Sequence, residues 1–173
     1  MVRLKHKLTQ PPQPPARGVK AATFRLLLDT AMALIKLDGH VPSVAEVAAR
    51  STVPVVADES FRSADDLDRI LAARAAQAVN LKLGKLGGPL AALDLARRAR
   101  AAGLRLMAGA MVETRVGLLA MAHVVAALGG VDWVDLDTAF LLADDPFDGG
   151  WTCDGPRLRL AADPGLGVSV RPR

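Results

Sequence analysis

The chain has 173 residues, enough for one domain with a sizeable core but short of the ~250 that a complete (β/α)8 barrel usually takes. Hydrophobic residues make up 51% and charged residues 23%, which excludes disorder as a description of the whole chain, and aromatics at 3% without Tyr remove the ring platforms of single-strand nucleic-acid binders. The formal charge of +4 resides in Arg3, Lys5, Lys7, Arg17 and Lys20 at one end and Arg171 and Arg173 at the other, so acids outnumber bases between residues 21 and 170 and no nucleic-acid partner is expected.

Residues 1–43 read as a basic, Pro-rich segment with one helix. Through Gly18 the run Gln10-Pro11-Pro12-Gln13-Pro14-Pro15 suits an extended linker, because proline fixes φ and removes amide donors. From Ala21 to Leu37 the apolar positions Phe24, Leu27, Leu28, Met32 and Ile35 recur at helical spacing. Asp29 and Lys36 interrupt that stretch, so it is not a secretory signal. The longest uncharged run, Val116 to Val131, is shorter than the ~20 residues of a membrane span. Cys153 is the lone cysteine and gives no internal disulfide, so a cytoplasmic protein without a membrane partner is expected.

Residues 44–170 read as one α/β domain. Ser43 followed by Glu46 forms a capping box and opens a helix to Arg50. Val53 to Ala57 predicts a strand, and Ser63 with Asp66 a second box and a helix to about Ala76. Val79 to Leu83 predicts the next strand, then Gly87-Gly88-Pro89 and a helix ending at Gly103. Leu104 to Ala108 is a third strand, Arg115 to Leu128 a helix stopped by Gly129-Gly130, and Trp133 to Asp137 a fourth strand. Alternation of strands and helices through short connections predicts parallel β/α units, with the site at the carboxyl ends of the strands.

Three strands carry polar residues there. Period-two alternation puts Asn80 and Lys82 on one face of their strand and Leu81 and Leu83 on the other, and it puts Asp135 and Asp137 together, opposite Val134 and Leu136. Asp58 and Glu59 follow the first strand. A strand-end Asp also serves as a helix cap, and a strand Lys also sits on solvated edges. Together, however, a carboxylate for a cation, a lysine base and an anionic pair are parts for removing a proton next to a carboxylate, with the lysine pKa lowered by the bound cation. His123, inside an apolar helix, reads as a packed histidine.

Pro54-Val55-Val56-Ala57-Asp58-Glu59-Ser60, Asn80-Leu81-Lys82-Leu83-Gly84-Lys85-Leu86-Gly87-Gly88, Met111-Val112-Glu113-Thr114 with Gly117, Asp135-Leu136-Asp137 and Pro164-Gly165-Leu166-Gly167 together resemble the enolase superfamily. The likeness is to its muconate-lactonizing-like subgroup and, through Asp-Leu-Asp, to the dipeptide epimerases of the L-Ala-D/L-Glu type. It implies the C-terminal half of an enolase-type (β/α)7β barrel and a dipeptide or acyl amino acid substrate. It also implies magnesium on Asp58, Lys82 as acid/base, and Asp135 and Asp137 on the substrate ammonium. Glu59 and Lys85 would support these groups from behind or form a surface ion pair, and Gly109 to Met111 would line the pocket or merely turn.

The N-terminal capping domain, the Lys-x-Lys, the third-strand Asp and the Glu-Gln-Pro of that family are not visible. Ala33-Leu34-Ile35 stands where the Glu should fall, and Lys5-His6-Lys7 copies the lysine pattern outside any strand context. One carboxylate binds magnesium weakly, and one lysine serves one face of an α-carbon. The expectation is therefore a truncated epimerase, weak or inactive alone and prone to self-association, or a non-catalytic remnant of the same lineage.

Overall fold

The computed structural model describes Leu26, Asp29, Thr30, Met32, Ala33 and residues 41–172. Those first five positions are helical, in agreement with the apolar spacing there; the rest of that expected helix, the Pro-rich linker and Lys5-His6-Lys7 lie outside the described residues. The chain divides into two compact units, residues 1–53 and 54–173.

In the first unit, helix α1 (Val44–Arg50) starts as its sequence dictates. The Glu46 amide donates to Ser43 Oγ at 3.3 Å, and the Ser43 amide donates to Glu46 Oε2 at 2.8 Å. Both halves of the capping box therefore form.

The second unit is built on four strands, β1 (Val56–Ala57), β2 (Ala78–Leu81), β3 (Arg105–Ala108) and β4 (Trp133–Val134), all parallel and adjacent in chain order. Helices α2 (Ala64–Ala73), α3 (Leu83–Leu86), α4 (Pro89–Ala101) and α5 (Arg115–Leu128) connect them. This is the expected β/α alternation, and strand order 1-2-3-4 is what successive crossovers of one hand produce. Each strand is shorter than the apolar run that announced it. Lys82 is extended but already caps α3, and its carbonyl accepts from the Lys85 and Leu86 amides at 3.0 and 3.2 Å. Past Val134 the chain turns, and Asp137 leads a 3-10 turn over Thr138–Leu141.

Burial explains the composition of these elements. β2 is buried along its whole length, and Val79, Leu81 and Leu106 pack with Leu67 and Ile70 of α2, Ala92, Leu95 and Ala96 of α4 and Leu118 and Leu119 of α5. Small residues on α4 let helix and sheet approach closely. Val134 is 54% exposed and lines a cavity with Ala122, Val125 and Ala126 of α5, because β4 pairs only with β3 among the described strands and leaves that flank open.

The capping box expected at α2 is only half made: the Asp66 amide donates to Ser63 Oγ, but the returning carboxylate takes the Arg62 amide. Arg74 then ends the helix in the left-handed region at φ 48°, earlier than the expected Ala76.

Beyond the sheet lies a module outside the predicted elements. β5 (Phe147–Gly149) pairs antiparallel with β8 (Val168–Val170), and β6 (Trp151–Asp154) with β7 (Arg157–Leu160). It is fixed to α5 at several points. Asp145 accepts from the Arg115 amide at 2.9 Å, capping a helix whose own Thr114 makes no side-chain cap. Gly150, at φ 77°, lies so near Leu119 that an added Cβ would come within 2.2 Å of its Cδ1. His123 is half-buried on α5, with Nε2 3.3 Å from the Gly165 carbonyl oxygen.

Candidate active site

Asp58 and Glu59 leave β1 at its carboxyl end, and Lys82 leaves the neighbouring strand β2 at the same end. Because α3 begins at once, Lys85 stands one turn beyond Lys82 and both ammonium groups turn back toward β1. Lys82 Nζ lies 3.1 Å from Asp58 Oδ1 and 3.0 Å from Glu59 Oε1. Lys85 Nζ donates to Asp58 Oδ1 and to the Asp58 carbonyl oxygen, each at 2.7 Å. The lysine side chains are the covered partners, 12% and 7% exposed, while both carboxylates face outward.

The electrostatics follow from this arrangement. Burial pushes the Asp58 carboxyl up, but the hydrogen bonds and charges of Lys85 and Lys82 outweigh it and hold the group below its ordinary range. Burial likewise pulls Lys82 down, and Glu59 and Asp58 more than reverse this, leaving the ammonium above its ordinary value. The lowering expected of Lys82 belongs to a bound cation; the chain's own nearest charges, Glu59 and Asp58, act in the opposite direction.

Asp135 and Asp137 come from the chain after β4. The Asp135 amide donates to the Ala108 carbonyl at 2.8 Å, continuing the sheet for one more bond. Both side chains are exposed, and Leu136 between them is buried, so the expected alternation holds over these three residues. They border a cavity of about 560 Å³ whose apolar wall includes Val125, Leu136, Phe140 and Leu158. Asp58 and Lys82 do not line it. The four predicted residues therefore stand at the carboxyl ends of one parallel sheet, but as two groups: the Asp58-Glu59-Lys82-Lys85 cluster and the Asp135-Asp137 pair.

Between them lies the loop after β3. Thr138 Oγ1 donates to the Met111 carbonyl at 2.8 Å, tying that loop to the turn after β4. Glu113 Oε1 accepts from the Met111 amide at 3.0 Å, and its carboxylate occupies the space a Cβ on Gly117 would need. This accounts for glycine four residues after the glutamate. Gly109 is constrained in the same way, since a Cβ there would come 2.7 Å from Asn80 Oδ1. The sequence marks Asn80 only by its face; in the fold it is the one buried polar residue among those described, 4% exposed.

The residues present do not by themselves make a magnesium site. The ion prefers six oxygens in near-octahedral array. Among the described residues no group of three or more His, Cys, Asp or Glu side chains converges, and the one candidate ligand, Asp58, is already bonded to two ammonium groups.

The family described as enolase C-terminal domain-like matches residues 36–173. The aromatic dipeptide epimerase of Herpetosiphon aurantiacus is 42% identical over 127 residues, which are 73% of this chain and 35% of that protein. The L-Ala-D/L-Glu epimerase of Bacillus subtilis is 34% identical over 123 residues, 71% of this chain and 34% of that protein. Among solved structures, a mandelate racemase/muconate lactonizing protein from Herpetosiphon aurantiacus superposes with a TM-score of 0.73 at 35% identity, covering 87% of this chain and 46% of that one. The chain thus spans about a third of the length of these curated relatives and under half of the solved chain, of which it matches the C-terminal, parallel β/α portion.

Proposed function

The chain belongs to the enolase C-terminal domain-like family, and from that membership we propose that it carries part of the machinery of a dipeptide epimerase. In this reading Lys82 exchanges the α-proton of a dipeptide or acyl amino acid on one face of the α-carbon, and Asp135 with Asp137 holds the ammonium of a dipeptide. Glu59 and Lys85 support Lys82 and Asp58. The names of the relatives favour this reaction class.

The observation that carries the proposal is the approach of Lys82 Nζ to Asp58 and Glu59 at the carboxyl ends of two adjacent parallel strands. A base and a carboxylate for a cation are then within one side chain's reach of the same point. Proton removal leaves an enolate, and the electron pair of the broken C–H bond moves into the substrate carboxylate. Return from the opposite face needs a second proton donor, and the other lysine of the cluster, Lys85, is bonded to the Asp58 carboxylate and to its backbone carbonyl. The resemblance implies magnesium on Asp58, and the described residues do not by themselves form such a site. The chain alone is therefore weak or inactive in this reading, and the uncovered flank of β4, with Val134 and Phe140 exposed, favours self-association.

The test is binding. Titration of L-Ala-L-Glu followed by amide chemical shifts should perturb residues around Asp135 and Asp137, and Asp135→Asn with Asp137→Asn should abolish the perturbation. A dipeptide that leaves the wild-type shifts untouched would favour the second reading, a non-catalytic remnant. That alternative is supported by the engagement of Asp58 with two ammonium groups in place of further carboxylates.

A further inference from the structure

The Lys82 ammonium lies between Asp58 and Glu59, and its strand face offers one further buried acceptor. We propose that Asn80 provides it: the Asn80 side-chain carbonyl is the second acceptor for the Lys82 ammonium, which makes Asn80 a positioning residue. This rests on the reading of Lys82 as the base.

Three observations support it. Asn80 and Lys82 are alternate residues of an extended stretch and share a face of β2. Asn80 Oδ1 is buried and has no hydrogen-bond partner among the described residues. A buried acceptor without a donor is costly, and its retention implies a donor in some other state of the site.

The third observation is direction. Asn80 pairs in register with Met107, yet its amide packs against Gly109, two residues nearer the carboxyl end of β3. In a parallel pair, residues in register share a face, and one step past Leu81↔Ala108 the register sets Gly109 beside Lys82. The amide therefore leans along the strand toward the root of the Lys82 side chain. Glycine at 109 makes this possible, because a Cβ would stand 2.7 Å from Oδ1 and 2.9 Å from Nδ2. A lysine side chain is long enough to span alternate residues of a strand, about 7 Å apart, and a carbonyl oxygen is a good acceptor for an ammonium.

The experiment releases Lys82 from its present partners and needs neither substrate nor metal, so an inactive chain can still pass it. In a crystal structure of Asp58→Ala/Glu59→Ala, Lys82 Nζ should lie about 2.9 Å from Asn80 Oδ1. Lys82 in solvent, with Asn80 unpartnered or bonded to an ordered water, overturns the proposal. In solution, the rate of Lys82 acetylation by acetic anhydride is read by peptide mass spectrometry with Lys85 as internal reference. Adding Asn80→Leu to the double variant should raise the Lys82 rate about tenfold, as expected for loss of a hydrogen bond to a charged group, and Asn80→Asp should restore the slow rate. Equal Lys82 rates with and without the Asn80→Leu substitution overturn it. If the double variant does not fold, Asp58→Leu/Glu59→Leu, which also leaves Lys82 without either carboxylate, carries the same comparison.

Discussion

Lys85 holds Asp58 at two points, its ammonium donating to the carboxylate and to the backbone carbonyl of the same residue at 2.7 Å each. The second bond fixes the turn that leaves β1, so Lys85 sets where the Asp58 carboxylate stands as well as its charge. Lys85→Met should lower unfolding stability by about 1–2 kcal/mol, the range for a charged hydrogen bond discounted for the solvent around Asp58. Urea denaturation near pH 7 measures this. An unchanged midpoint would show that the clamp contributes nothing.

The pairing also sets a pH dependence. Asp58 is held below its ordinary 3.8, so its contribution is fully present above that value and is lost as pH falls through the lower folded value. Lys82 is raised above its ordinary 10.5, so its contribution is present below that value and is lost as pH rises through the higher folded value. The stability difference between wild type and Asp58→Ala should therefore be constant across neutral pH and shrink below pH 3.8. The difference from Lys82→Met should shrink above pH 10.5. A difference that peaks at either extreme would contradict the pairing.

Gly150→Ala should destabilise strongly, by about 2–4 kcal/mol, because the residue has φ 77° and the new methyl would meet Leu119 Cδ1 and the Leu166 carbonyl. Gly155→Ala has the same backbone problem at φ 55° but open space around it, and should cost only about 1 kcal/mol. Thermal unfolding of the two variants side by side separates the steric contribution from the conformational one. Equal losses would mean that Gly150 does not seat the C-terminal module on α5.

Asn80→Leu should stabilise the chain by about 1 kcal/mol, since it replaces an unpartnered buried amide by an apolar group of similar size. A lower melting temperature would show that the amide is satisfied at rest.

Magnesium should bind no tighter than millimolar, because one carboxylate shared with two ammonium groups is a poor substitute for an oxygen shell. Calorimetry showing micromolar affinity that disappears in Asp58→Asn would contradict this.

Much of the fold was legible because its signals are local. Ser43 with Glu46, Gly87-Gly88-Pro89 and Gly129-Gly130 each act within a turn, and α1, α4 and α5 start or stop where these residues lie. The motif residues of the site were legible for the same reason, being contiguous at strand ends. What depends on partners distant in the chain was not. The Asp145 cap on α5 acts across 30 residues, and the Asn80–Gly109 contact crosses from β2 to the end of β3. The β5–β8 and β6–β7 strands are only three or four residues long, too short to stand out as a pattern even where, as in Arg157-Leu158-Arg159-Leu160, the residues alternate. β4 ended early because a pattern of alternate residues runs on through Asp137 while the backbone already turns.

The proposed function makes Lys82 the base at a dipeptide α-carbon and leaves epimerisation by this chain weak or absent. Proton NMR of L-Ala-L-Glu in deuterated water, with magnesium present and the chain at high concentration, tests it most directly. The predicted result is no epimerised dipeptide and at most slow loss of the α-hydrogen signal, which disappears in Lys82→Met. Fast, magnesium-dependent epimerisation, or exchange that survives Lys82→Met, would contradict the account.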